Sequence, residues 1–439
     1  MLGFKRIGIA GLSAFFLVLC LQPVYFLAMT NLNRVISHER TWQHIREAFD
    51  AGVLETGYHS RNEFIDSGDR YTDCASLGIG LQPNVPDAVE GITGPRPSSD
   101  DHACDDLKAA AINPAGVVWG RSERYWNGYR VFAAPLASIA PILALKLINL
   151  VLLVIVSVLF CSQSSKLLGA GPTIGLFAPV LFCCDYVRIW HVTPHTVSTV
   201  VIIGGAALFA GAVRRSAGLL TLVLLSALLG SVFNFVDLLV NPPWMPMLLA
   251  FFVMATPAPM TQRQKVAIAL LCVGAWFGAY AVTWSFKWVF AYVVDPAFDV
   301  RSDVQTAILF RIDGDYGRVI HIPLVATLKT FGACIFNWGL PLFACFMLVI
   351  VRGLRGRTFD RTAFFWRAWP VLIPIIWFEV LSNHTQIHTL FVLRSGAAAI
   401  GVAVASALIV ANVTREDLLL QARQIFTGRP VSLKSPPAA

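Results

Sequence analysis

The chain has 439 residues, 56% of them hydrophobic and 14% charged, with a mean hydropathy of +0.65. Soluble domains carry about 25% charged residues, so a chain this poor in charge cannot clothe a globular surface. Collagen-like, disordered and small disulfide-scaffold classes are excluded by the same numbers. The formal charge of +8 does not point to nucleic acid, because residues 31–130 hold 15 acidic and 10 basic residues and the remainder holds 11 and 24. The basic excess therefore sits in short links between apolar runs, which is the positive-inside pattern of a polytopic membrane protein.

In chain order, the first apolar run (Ile7–Met29) follows Lys5 and Arg6. It is too long for a signal-peptide core and reads as a retained anchor. A polar loop over residues 30–138 comes next. Within it Val35, Trp42, Ile45 and Phe49 recur at helical spacing between charged residues, which predicts an amphipathic helix lying on the membrane. Further apolar segments near 139–161, 170–189, 195–212, 217–236, 244–260 and 266–286 lead to a second polar region, 287–330. There Phe298, Ile308, Phe310 and Ile312 alternate with Asp303, Arg311 and Asp315, again with an interfacial pattern. Segments 331–351, 368–382 and 391–411 complete ten spans, and 413–439 forms a tail.

The links that carry Lys166, Arg214 with Arg215, Arg263 with Lys265, and Arg352, Arg355, Arg357 and Arg361 all fall on one side. The tail adds Arg415, Arg423, Arg429 and Lys434. The expected architecture is an all-α polytopic domain over 1–412, with both termini cytoplasmic and both polar regions periplasmic, in a bacterial inner membrane. Seven of the nine cysteines lie in apolar segments, whereas Cys74 and Cys104 share the first polar loop. They are a disulfide candidate if that loop faces an oxidising compartment. No CxxC or HExxH pattern and no Asp-x-Asp pair in the first polar loop supports a dedicated metal site.

Five polar clusters converge on the outer face of this topology. Asp66, Asp69 and Asp73 lie in the first loop, where at least one is expected to be a solvated or capping carboxylate. The block Arg124, Tyr125, Trp126, Asn127, Gly128 and Tyr129 precedes the second span, as an aromatic belt or a substrate contact. His191 and His195 flank Pro194, as helix caps or ligands. Asn234 and Asp237 lie one turn apart, as an interhelical hydrogen bond or a ligand contact. Asn383, His384 and His388 stand near Arg394, and the two histidines share a helical face suited to anion or hydroxyl contacts more than to zinc. Ionisable groups at membrane depth usually line a cavity, so the clusters read as one outward-facing polar site.

Such a site suits a substrate with a lipid tail, for example a sugar on polyprenyl phosphate. Asp69 or Asp73 would supply a general base for an acceptor hydroxyl, and Arg394, His384 and His388 would stabilise the departing phosphate. One base implies a single, inverting displacement. The layout resembles the GT-C class of membrane glycosyltransferases. More narrowly, residues 69–74, 124–129 and 383–388 resemble blocks of bacterial proteins similar to the type IV pilin arabinofuranosyltransferases. That resemblance implies a decaprenyl-phosphate-linked D-arabinofuranose donor, a glycan or protein acceptor and no cofactor beyond the lipid-linked sugar. This chain departs from the pattern with Asp73 in place of Glu and Asn127 in place of His. The substitution at 127 removes a titratable group and assigns that block to substrate contact. Metal dependence, the sugar, the acceptor and the oligomeric state are open at this stage. A transporter or flippase of lipid-linked sugars and a non-catalytic envelope-assembly protein are the competing readings. The polar groups gathered at one interface argue against the first, since transporter sites sit near the midplane between repeats.

Overall fold

The computed structural model describes residues 4–56, 69–98, 102–121, 123–313, 319–336 and 339–427. Asp66, Asp315, Arg429 and Lys434 lie outside the described residues. The first helix, α1 (Phe4–Thr30), leads to the large polar loop, whose described residues form five helices: α2 (His38–Asp50), α3 (Arg70–Gly78), α4 (Asp87–Thr93), α5 (Ala103–Ile112) and α6 (Arg130–Ile139). Two short antiparallel strands, β1 (Arg96–Pro97) and β2 (Trp119–Gly120), pair within it. The bundle then continues with α7 (Ile142–Leu168), α8 (Ala170–Phe182), α9 (Thr193–Arg214), α10 (Leu219–Val236), α11 (Trp244–Ala255) and α12 (Gln262–Val294). After α13 (Val300–Asp313) come α14 (Val325–Ile335), α15 (Leu340–Leu354), α16 (Arg361–Ala368), α17 (Leu372–Val380), α18 (Ser382–Ile387), α19 (Thr389–Val410) and α20 (Arg415–Thr427).

Among the described residues, seven helical stretches are long and apolar enough to cross a membrane, or eight if the pair α14 and α15, inclined by 93°, is one span. The protein is thus an all-α multi-pass membrane protein. The ten spans expected from hydropathy are not all full-length. Segment 170–189 becomes the 13-residue α8 followed by a 3-10 turn, Tyr186–His191. Segment 244–260 becomes the 12-residue α11, all of whose residues are buried. It starts after Pro242-Pro243 and ends before Pro257, where proline disfavours the helical conformation of the residue before it. At about 1.5 Å per residue neither helix spans a hydrocarbon layer of about 30 Å. Conversely, α12 has 33 residues and is roughly 50 Å long. It runs on past 286 to Val294, so the second polar region begins within a helix rather than in a loop.

The apolar face of α2 also finds a different partner. Ser37 caps the helix by accepting from Arg40 N at 3.3 Å, and Trp42 and Ile45 are buried. They pack with Cys74, Leu107, Ala110 and Tyr129 in a core of the loop itself. Val35 precedes the helix and is exposed. The helix therefore turns its hydrophobic stripe into the loop unit, not into lipid. Cys74 on α3 and Cys104 on α5 are joined by a disulfide, which ties the helix carrying Asp73 to this core.

Helix pairs approach closely where glycine removes the side chain, as membrane helices commonly do. A Cβ at Gly230 on α10 would lie 2.3 Å from the Trp276 carbonyl oxygen on α12, and one at Gly401 on α19 would lie 2.1 Å from that of Leu176 on α8. Gly274 on α12 faces open space. Gly230→Ala and Gly401→Ala are each expected to cost about 1–3 kcal/mol and to lower the unfolding midpoint in detergent, while Gly274→Ala leaves it unchanged. Equal midpoints for all three would disprove the close approach.

Candidate functional site

Helix α3 begins at the centre of the polar clusters. Asp69 is its N-cap, and Oδ1 accepts from Thr72 N at 3.0 Å. Asp73 lies one turn later, where the positive end of the helix dipole favours a carboxylate. Both are buried, and each keeps one oxygen without a hydrogen-bond donor, Oδ2 of Asp69 and Oδ1 of Asp73. Burial pushes the Asp69 carboxyl up to about 6, against the hydrogen bonds from Thr72 that favour its charge.

Two clefts flank this turn. The first, about 200 Å3, is lined by Glu55, Arg70, Asp73, Cys74, Lys146 and His191 among others. In it the Lys146 ammonium donates to Asp73 Oδ2 at 2.6 Å and to the His191 carbonyl at 3.0 Å. The His191 ring lies on Trp190 with centroids 3.6 Å apart, and burial lowers its pKa. The second cleft, also about 200 Å3, is lined by Thr72, Arg124, Tyr125, His195, Arg311, His384 and His388, with Leu238–Val240, Phe310 and Phe391.

Within the second cleft Arg311 is the buried cation. Its Nη2 donates to the Tyr125 hydroxyl at 2.7 Å, and its guanidinium lies 5.3 Å from the Trp284 ring centre and 5.9 Å from that of Tyr125. Among the described residues no carboxylate pairs with it, and its Nε has no partner. Arg124 is tied to Asp303 at 3.1 Å. His384 Nε2 sits 3.2 Å from the Leu239 carbonyl, and its ring centre is 4.8 Å from that of His388. Burial lowers His384 to about 3 and His388 to about 4, with Arg311 adding to both shifts. Both rings are therefore neutral near pH 7. The single N–H of His384 is donated to the Leu239 carbonyl, which leaves His388 as the imidazole with an N–H for the cleft. Leu239, on the same wall, has φ +64°, a strained value for a bulky residue of the kind that collects at functional sites.

Arg394 stands elsewhere. It is 1% exposed, and its Nε and Nη2 form a bidentate pair with Asp185 at 2.7 and 2.5 Å. The same Nη2 lies 3.2 Å from His195 Nδ1, which must act as acceptor because arginine has only donors. The His195 proton is then on Nε2, 3.6 Å from Asp69 Oδ2. A continuous chain, Asp185, Arg394, His195 and Asp69, thus runs from the bundle interior to the N-cap of α3. The guanidinium is matched by Asp185 and sits behind the cleft, whereas Arg311 is on the cleft wall with no carboxylate partner among the described residues.

The 124–129 block divides. Arg124 and Tyr125 line the cleft, while the following residues fasten the loop to the bundle. Trp126 Nε1 donates to the Thr283 carbonyl at 2.8 Å, and the Tyr129 hydroxyl donates to that of Ser76 at 3.1 Å. Asn127 occupies a left-handed turn position, φ +56°, which asparagine tolerates. Gly128 lies so close to Phe235 that a Cβ would fall 2.4 Å from its ring. Asn383 donates to the Phe310 carbonyl and joins α18 to α13. Asp237 accepts from Val240 N at 3.0 Å and shapes the turn behind the cleft wall. Asn234 contacts Tyr280 across α10 and α12.

Sequence reading placed Asp69, Asp73, Arg124, Tyr125, His191, His195, His384 and His388 at or beside the clefts, and missed Lys146, Asp185 and Arg311. Lys146 carried a readable signal, because a lone cation early in the apolar run Ile142–Leu168 is costly unless it has a partner. Among the described residues no group of three or more His, Cys, Asp or Glu side chains is placed to hold a metal ion.

Removing one partner of a buried ion pair leaves the other charge stranded, at a cost of about 3–5 kcal/mol. Asp185→Asn and Arg394→Gln are each expected to destabilise the protein on that scale, and the double variant to recover a large part of the loss. Strictly additive unfolding free energies would show that the two side chains do not depend on one another.

No family model, no characterised protein and no solved structure matches the chain.

Proposed function

We propose that the protein is a GT-C-type glycosyltransferase that moves a sugar from a polyprenyl-phosphate donor to an acceptor hydroxyl on the periplasmic side of a bacterial inner membrane. D-arabinofuranose is the sugar implied by the sequence resemblance, and a glycan or a protein is the acceptor. The observation that carries this reading is the first turn of α3. It sets two buried carboxylates, each with one oxygen lacking a donor, between two polar clefts.

In this mechanism the acceptor oxygen attacks the anomeric carbon and passes its proton to Asp69. The bond from that carbon to the phosphate oxygen breaks, and the lipid phosphate leaves with the electron pair. Asp69 fits the role of base because burial raises it to about 6. It is then ionised near neutrality yet more basic than a solvated carboxylate. Asp73, held by Lys146 at 2.6 Å, acts as a fixed charge on the wall of the first cleft. Arg311 supplies the positive charge for the leaving phosphate, and the neutral imidazole of His388 adds a hydrogen-bond donor, while His384 is fixed on the Leu239 carbonyl beside it. Single displacement inverts the anomeric centre.

With a polyprenyl-phosphate sugar and purified protein, Asp69→Asn is expected to lower turnover by at least about 10²-fold, the usual contribution of a general base. Wild-type turnover should rise with pH through about 6, because the base works only when deprotonated and its folded pKa is raised to that value. Arg311→Gln should reduce turnover while leaving the unfolding midpoint near that of the wild type. Full activity in Asp69→Asn and Asp73→Asn, or sugar-lipid crossing liposomes without product, would overturn the assignment.

A further inference from the structure

The opposite end of the molecule carries a second feature, unrelated to the clefts and independent of the glycosyltransferase reading. Between the start of α12 and α16 lies a groove of about 360 Å3, lined by Val266, Leu270, Phe365, Trp366 and Trp369. It opens sideways, since Leu270 is 53% and Phe365 68% exposed. Both helices belong to stretches long and apolar enough to cross a membrane, so the opening faces lipid.

The rim of this apolar groove is positively charged. Lys265 immediately precedes Val266 and is buried, its ammonium donating to the Thr256 carbonyl. Arg367 lies between Trp366 and Trp369, donates through Nη1 to the Ala363 carbonyl at 3.2 Å, and has no partner at Nε. The two cations are near enough to repel one another. Neither 262–270 nor 361–369 contains an acidic residue. The nearest acid in sequence, Asp360, caps α16 through Ala363 N at 3.0 Å, and Asp417 is paired with Arg357 at 2.8 Å. The Trp369 indole N–H is likewise buried without an acceptor.

Two cations with no carboxylate partner among the described residues and an unsatisfied indole donor at the edge of a lipid-facing apolar groove define their complement. It is an anionic head with several acceptor oxygens attached to a hydrocarbon chain. A neutral lipid leaves the like charges unmatched, and a soluble anion leaves the groove unfilled. We propose that the groove between α12 and α16 is a binding site for an anionic phospholipid, its phosphate held at Lys265, Arg367 and Trp369 and one acyl chain lying along Val266, Leu270, Phe365 and Trp366. Basic pockets between membrane helices recognise acidic lipid heads in this manner.

Native mass spectrometry of the delipidated full-length protein, titrated with phosphatidylglycerol or phosphatidylcholine, tests the assignment. One phosphatidylglycerol should be retained in preference to phosphatidylcholine. Arg367→Gln should weaken that retention roughly fivefold, the worth of one cation near a lipid phosphate. Trp369→Phe keeps the ring and removes the donor, and Leu270→Trp fills the groove without altering charge. Both should also weaken retention, and they carry the test if Arg367→Gln fails to fold. Arg352→Gln, exposed and outside the groove, should have no effect. Equal retention of the two lipids, or an equal loss from Arg352→Gln, would overturn the proposal. So would displacement by inorganic phosphate with Leu270→Trp silent, or a dimer that Leu270→Trp dissolves.

Discussion

The Asp185–Arg394 ion pair is the contact on which the organisation of the polar end rests. A guanidinium buried among membrane helices is costly unless a carboxylate meets it in good geometry. Here both hydrogen bonds of the fork are made, at 2.7 and 2.5 Å. Satisfying Arg394 requires a carboxylate at its depth, and α8 accordingly stops at Phe182 so that the chain can turn through Cys183 and Cys184 and present Asp185. A second N–H of the same Nη2 orients the His195 ring, and His195 in turn faces Asp69. Three stretches of chain distant in sequence, around Asp69, Asp185–His195 and Arg394, are thereby held in register by one charge and its partner.

The same arrangement accounts for how polar residues are divided between structure and site. Arg394, Asp185, Asn383, Trp126 and Tyr129 are consumed by contacts within the protein. Arg311, His384, His388, Asp73 and Lys146 remain on cleft walls. The second cleft combines one guanidinium without a carboxylate partner among the described residues with aromatic and neutral imidazole walls. Such a surface favours a single anionic group next to apolar material over a freely hydrated polyanion.

Long apolar runs such as Ile142–Leu168 and Thr193–Arg214 were legible in the sequence, because apolar character sustained over more than about 18 residues is what a bilayer-crossing helix requires and few soluble elements show. Hydropathy does not distinguish lipid contact from burial against protein. For that reason α8 and α11, wrapped by neighbouring helices, read as spans although they are too short to be spans. The amphipathic spacing of Trp42 and Ile45 gave the helix correctly but not the surface that it meets. At the site, residue types that are rare at membrane depth stood out, and Asp69, Asp73, His195 and His384 lie at or beside the clefts. Arg311 was hidden because one cation in a segment of mixed apolar and charged residues resembles an ordinary solvated charge. Only the fold, by laying α13 across Tyr125 and Trp284, turns that residue inward.

Arg394 lies on α19, the last long apolar helix of the described chain. During synthesis, α3, Asp185 and the start of α9 emerge about two hundred residues or more before their cation. Until α19 enters the membrane, Asp185 has no guanidinium and His195 has nothing to fix its tautomer. The polar end is therefore completed from the C-terminal side, and a nascent chain halted before α19 would hold the right residues in an unassembled centre.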